Sequence, residues 1–222
     1  MRNRERLGMA AMLDHLVVTA PNLKSGVQWV RDTLGATPEL GGKHPRMGTH
    51  NCLLQLGEQT YLEVISPDPN APDPGRARWF GLDQQVPRSA PQLAAWAART
   101  SDIEQAVQSA SEPLGTVEAM TRGELNWEIT LTEDGALPLG GVAPFLIQWH
   151  TSEHPAGGLR DSGCTLMQLD LYYPDHLRAE RLLASIGFDG NKLRLHPGAA
   201  SAGPRIIATI DTPHGVKVLP AG

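Results

Sequence analysis

Cysteine is scarce, with Cys52 and Cys164 the two in 222 residues. They stand far apart in strand-like runs. That excludes a disulfide framework, a CxxC redox pair and any Cys/His zinc spacing. The expectation is two reduced, buried thiols in a cytoplasmic protein. Long apolar runs are missing as well. The longest, such as LVV at 16–18 and FLI at 145–147, cannot span a bilayer, so no membrane role is expected. No Lys/Arg cluster stands out and the net charge is −5, which argues against a nucleic-acid surface. No GxSxG, P-loop or GxGxxG occurs in a useful context. The opening MRNRERLGMAAM is polar and basic, with no apolar segment after it. Residues 1–12 are therefore expected to be a frayed tail rather than a signal peptide.

What remains is a globular composition, 41% hydrophobic and 19% charged, long enough for one large domain or two small ones. Its 23 glycines and 18 prolines cut the chain into short elements. An apolar strand at 13–20 precedes a helix at about 23–34, capped by Asn22 and stopped by Gly35. A short strand near 37–41 follows, then the loop GGKHPRMG and a hairpin through residues 49–66 with Gly57 in its turn. The turn-rich PDPNAPDPG (67–75) breaks the pattern. The same order then returns with strands at 92–100, 116–122, 125–132 and 145–151 and a helix after Ser101 or Asp102. It returns again from 164, where Asp175 caps a helix ending at Gly187. Three degenerate copies of one strand–helix–three-strand unit are expected, starting near 13, 92 and 165.

Two residues disturb this apolar pattern. His15 sits near the start of the first strand, and Glu63 sits inside YLEVISP at 61–67. A carboxylate or imidazole in such a run is costly without a partner. They pair with each other, or both belong to a metal. The hairpin register decides which residue joins them. A three-residue turn at Gly57–Gln59 pairs Leu53 with Glu63 and turns Asn51 inward, while a two-residue turn brings His50 in instead. His44, His50 and Trp149 are further candidates for ligand contact. Lone histidines such as His154, His176, His196 and His214 read as solvated, though His154 stands in an HP motif.

The stretches LDHLVV, GGKHPRMGTHN, YLEVISPDP and PFLIQWH…HP resemble the glyoxalase-like branch of the vicinal oxygen chelate superfamily, over roughly residues 12–215 in element order. The resemblance implies an α+β fold in which repeated βαβββ modules form curved mixed sheets around a cavity. The modules at 13–67 and 92–152 would pair, and residues 164–222 would form a third, degenerate βαβββ-like module. It also implies a divalent metal (Zn, Ni, Mn or Fe) held by first- and last-strand His and Glu ligands. His15 and Glu63 match two such positions. The second module offers Ala95 and Gln148 instead, and the third offers Gln168 with Leu219 or Val218. His150, two residues beyond Gln148, is a substitute ligand on the same strand face. Expected metal ligands are thus His15, Glu63, Gln148 and His150. With a metal, His15 and Glu63 support lyase, isomerase or dioxygenase-like chemistry on a small oxygen-rich metabolite. Without one, they permit acid–base work or simple sequestration of a ligand, as in resistance proteins of the superfamily. The expected partners are a small molecule and a second copy of the chain in a homodimer.

Overall fold

The computed structural model describes residues 10–84, 89–151 and 153–220. Residues 1–9, most of the expected tail, lie outside the described residues. Ala11 and Met12 do not fray. Ala11 donates from its amide to the Gly187 carbonyl at 3.1 Å and accepts from the Asp189 amide at 2.8 Å.

The first unit is β1 (Met12–Thr19), α1 (Leu23–Leu34), β2 (Glu39–His44), β3 (Thr49–Gln55) and β4 (Tyr61–Pro67). Asn22 caps α1 by accepting from the Ser25 amide at 2.8 Å. Gly35 ends the helix in the left-handed region at φ 73°. Leu53 stands opposite Glu63 in the β3–β4 register, which is the three-residue turn, and Asn51 faces inward. The second unit is β5 (Gln92–Arg99), α2 (Ile103–Ser109), β6 (Thr116–Arg122), β7 (Leu125–Leu131) and β8 (Phe145–Trp149). Strand β2 runs on through the expected loop as far as His44, because Lys43 and His44 pair with His50 and Thr49 after a bulge at the glycines.

Both units join one eight-stranded sheet in the order β2-β3-β4-β1-β5-β8-β7-β6. Strands β1 and β5 meet antiparallel at its centre, with His15 directly opposite Ala97. The sheet curls until its two edges touch. Arg46 on the β2 side donates to Glu118 on β6 and to the Ala119 carbonyl, and Arg76 makes a two-pronged ion pair with Glu118 at 2.8 and 2.6 Å. Those contacts, Arg76's hydrogen bonds foremost, hold the Glu118 carboxyl below the ordinary range.

The third unit is β9 (Thr165–Tyr173), α3 (His176–Ser185), β10 (Leu193–Pro197), β11 (Arg205–Thr212) and β12 (Gly215–Leu219). Its element order repeats that of the first two, but its pairing does not. The order is β10-β9-β11-β12, whereas the first strand of each earlier unit pairs with the last. This small sheet shares one apolar core with α1, α2 and α3 on the convex side of the large sheet, through Leu166, Leu171, Ile206 and Ile210. A separate apolar cluster, including Val17, Ile65, Trp127, Phe145 and Ile147, fills the concave side. No helix among the described residues is long and apolar enough to cross a membrane.

Candidate functional site

The concave cavity is lined by His15, His44, Asn51, Glu63, Arg122 and Trp149, with aromatic walls of Tyr61, Trp79, Phe80, Trp127 and Phe145. Its free space is about 30 Å³, room for a water or two. A second narrow space of about 20 Å³ lies behind Trp79 and Phe80, which line both. Phe80 holds φ 58°, an uncommon conformation for a bulky residue. The stacked pair of rings, 5.4 Å between centroids, separates the two spaces.

His15 is fixed from several sides. Its ring stacks on Tyr61 at 4.5 Å and meets Phe145 edge-on at 5.4 Å. Its Nδ1 lies 2.6 Å from a carboxylate oxygen of Asp14. Adjacent residues in a regular strand point to opposite faces. Here the β1–β5 register shifts between Leu13 and His15, so Asp14 sits in a bulge and the neighbouring side chains meet. Asp14 is fully buried. Burial works against its charge, but hydrogen bonds from His15 and His154 outweigh it and hold the carboxyl well below the usual range. Its second oxygen accepts from His154 Nε2 at 2.9 Å and from the Trp149 indole at 3.1 Å, with Arg99 3.9 Å away. His154 Nδ1 in turn accepts from the Ala156 amide at 3.2 Å. An ionised Asp14 places the His15 ring proton on Nδ1 and leaves Nε2 directed at the cavity.

Across from that nitrogen, 3.7 Å away, is Glu63 Oε2. The gap is too long for a direct hydrogen bond. Glu63 Oε1 accepts from Asn51 Nδ2 at 2.5 Å. Asn51 Oδ1 accepts from the Gly42 amide at 2.7 Å and from Arg122 Nη1 at 3.3 Å. Arg122 Nη1 also donates to His44 Nε2 at 3.2 Å, and His44 Nδ1 lies 3.2 Å from the Thr49 hydroxyl. Burial first, then the Arg122 charge, depresses the His44 pKa to about 3, so this imidazole is a neutral acceptor. Burial and the nearby Asp14 and Glu63 charges push the Tyr61 phenol well above 10, which keeps its proton in place. The glycines of GGKH make the room. A Cβ on Gly41 would lie 2.2 Å from Asn51 Oδ1, and one on Gly42 would lie 2.6 Å from Arg122 Cδ.

The structure brings His15, Glu63, Asn51, His44 and Trp149 together, and leaves three candidates out. Gln148 points to the helix side of β8, where its Oε1 accepts from the Ile103 amide at 2.8 Å and caps α2. His150 lies past the end of β8, 46% exposed at its side chain and paired with Glu128 at 2.9 Å. The reason is alternation: Phe145 and Ile147 belong to the concave cluster and Trp149 packs against it, so Gln148 must face away. His50, on the opposite face of β3 from Asn51, is absent from the cavity lining. Sequence reasoning missed Asp14, Arg122, Trp79 and the inward role of His154. Of these only His154, in its HP motif, carried a signal.

A metal requires more than this set offers. Among the described residues no three His, Cys, Asp or Glu side chains gather as an ion-binding group. His15 and Glu63 face inward positions on β5 and β8 occupied by Ala95, Ala97, Phe145, Ile147 and Trp149. The Asn51 oxygen and His44 Nε2 are already engaged by a guanidinium. Two donors beside a fixed cation do not fit the coordination a divalent ion demands.

The fold is shared with solved structures. A hypothetical protein from Staphylococcus aureus aligns at a TM-score of 0.58, with 14% identity, over 86% of this chain and 87% of its own. A methylmalonyl-CoA epimerase from Mycobacterium tuberculosis aligns at a TM-score of 0.41, with 17% identity, over 64% of this chain and 89% of its own. No curated protein matches the sequence. The family model for the glyoxalase-like domain matches residues 13–187, from the bulged strand that carries His15 to the end of α3, and the chain belongs to that family.

Proposed function

We propose that the protein is an acid–base enzyme acting on a small oxygen-rich metabolite, moving a proton between substrate carbon or oxygen and the His15–Glu63 pair. The observation that supports this most is the Asp14–His15 pair, 2.6 Å apart, with His15 Nε2 held 3.7 Å from Glu63 Oε2. A base needs its acceptor nitrogen aimed at the reacting atom, its other nitrogen tied down and a dry surrounding. Asp14 fixes the tautomer, Tyr61 and Phe145 fix the ring plane, and the aromatic wall leaves room for a water or two at most. In this reading His15 Nε2 takes a proton from a position next to a carbonyl, and Glu63, oriented by Asn51, carries a proton to or from the opposite side. The chemistry rests on these side chains, because the donor set does not make up a metal site.

The test is solvent exchange. Pyruvate, hydroxyacetone and dihydroxyacetone are incubated with the protein in D₂O and deuterium uptake next to the carbonyl is followed by NMR. At least one should exchange faster than in buffer, and both His15→Asn and Glu63→Gln should abolish the acceleration while the protein stays folded. The apolar inward positions of β5 and β8 favour a second reading, sequestration of a ligand without turnover. Binding of these compounds with no exchange above buffer would support it and overturn the first.

A further inference from the structure

A site lined by the Glu63 carboxylate, with the buried Asp14 carboxylate behind His15, repels an anionic substrate unless a positive group faces it. The Asp14 charge is absorbed locally by His154, Trp149 and Arg99. Among the described residues, the cation that remains on the cavity wall is Arg122, at the end of β6. Its Nη1 is engaged by His44 and Asn51, while among the described residues no partner bonds its Nε or Nη2. Its berth is built rather than incidental. Gly42 leaves the space its side chain occupies, and a neutral His44 accepts from it without opposing its charge. The same His44 ring meets Trp79 edge-on at 5.1 Å. Trp79 is 4% exposed and its indole N–H is buried with no partner among the described residues. A buried donor left unpaired is costly and is retained where something else supplies the acceptor.

We propose that Arg122 and the Trp79 indole N–H, whose side chains both contact His44, form an anion subsite of the cavity that takes the carboxylate of a small α-oxo or α-hydroxy acid. This deepens the acid–base reading and rests on it for the identity of the reacting carbon, though not for the binding itself. The fork of a guanidinium suits two carboxylate oxygens, and a single N–H adds direction to one of them. His44 is a positioning residue here, acting through Arg122. Substrates are thereby separated by charge: a small acid binds much more tightly than its neutral amide.

Acetate and acetamide, equal in size and differing in charge, are the probes. Each is titrated into the full chain while the five tryptophan indole N–H resonances are followed by ¹H–¹⁵N NMR. Acetate should move one indole resonance downfield, the one that disappears in Trp79→Phe. Its affinity should fall at least tenfold in Arg122→Gln and severalfold in Trp79→Phe, and Arg122→Lys should recover part of the loss. Acetamide should bind at least tenfold more weakly than acetate. Equal binding of the two probes, or acetate binding unchanged in folded Arg122→Gln and Trp79→Phe, overturns the proposal. So does the absence of acetate binding to the wild type. If exchange catalysis fails while these shifts appear, the acid–base reading falls and the anion subsite stands. Exchange without charge-dependent binding removes the anion subsite and leaves the acid–base reading in place.

Discussion

The wall made by β1, β3 and β4 and the wall made by β5, β7 and β8 face each other across one cavity, and they carry opposite chemistry. The first presents His15, Asn51 and Glu63, with Asp14 behind His15. The second presents Phe145, Ile147, Trp127, Ile129 and Trp149. Both walls come from the same arrangement of one helix and four strands, joined at the antiparallel β1–β5 seam. Repetition of a backbone therefore does not bring repetition of a site. Along one strand pair an inward position costs little to fill with an alkyl or aromatic group. A polar group there needs a complete set of partners. The first wall supplies them through a bulge at Asp14 and two glycines in β2. The second has no need of them, and it shapes the cavity and clamps the His15 ring.

The largest effect should come from removing the imidazole on the polar wall. His15→Asn should cut exchange by about 10²- to 10⁴-fold, the usual contribution of a positioned base, with cooperative thermal unfolding retained. A comparable change on the other wall, Ile147→Val, should leave exchange within about threefold and cost about 0.5–1.5 kcal/mol of stability. Gly42→Ala tests the link between the walls. Its new methyl must displace Arg122, so stability should fall by about 1–3 kcal/mol and acetate binding should weaken with it. Unchanged binding in Gly42→Ala would separate Arg122 from the site.

Acid should expose the same asymmetry. His44 contacts Arg122, Thr49, Trp79 and Trp127, with the charge of His50 acting from the other face of β3, and burial first depresses its folded pKa to about 3. The unfolded chain takes up that proton below about 6.5, whereas the native protein does not. Stability is full above pH 6.5 and falls as pH drops from there toward 3, by about 1.4 kcal/mol per pH unit for one proton. Asp14, whose folded pKa is lowered, works in the same direction: its contribution is present above its unfolded value and is lost as pH falls below it. His44→Gln should flatten the slope between pH 6.5 and 4 in denaturant titrations.

The smallest effects belong to Gln148 and His150. Gln148→Leu removes one hydrogen bond to the Ile103 amide and should cost about 0.5–1.5 kcal/mol with no change in exchange. His150→Gln breaks one exposed ion pair, in the class of contacts usually worth about 0–1 kcal/mol. Loss of exchange in either would return these residues to the site.

The sequence made some of this legible and hid the rest for identifiable reasons. Caps at Asn22, Asp102 and Asp175 and the glycine at 35 are local chemistry, so the helices could be read directly, whereas the hairpin around Gly57 left two registers open and the pairing of Leu53 with Glu63 decides for Asn51. His15 and Glu63 were visible because each is a polar residue in an apolar strand. Asp14 was not, since alternation sends the neighbour of an inward residue outward and a bulge leaves no mark in the chain. Arg122 ends a strand next to a turn, where an arginine normally meets water, and Trp79 follows a proline-rich break. Gln148 misled by one position, and in a period of two that is the difference between faces. Hydrogen-bond order is likewise absent from element order, so the third unit looked like a copy and pairs differently.

The most direct test of the division of labour between the walls is exchange by wild type after exhaustive chelation and desalting, with Zn²⁺, Ni²⁺ and Mn²⁺ then added back singly. The rate should stay unchanged within about twofold throughout, with no metal retained in stoichiometric amount and complete dependence on His15. Activity lost on chelation and restored by one ion would contradict this division. That result would mean that donors beyond His15 and Glu63 reach a metal across the apolar wall.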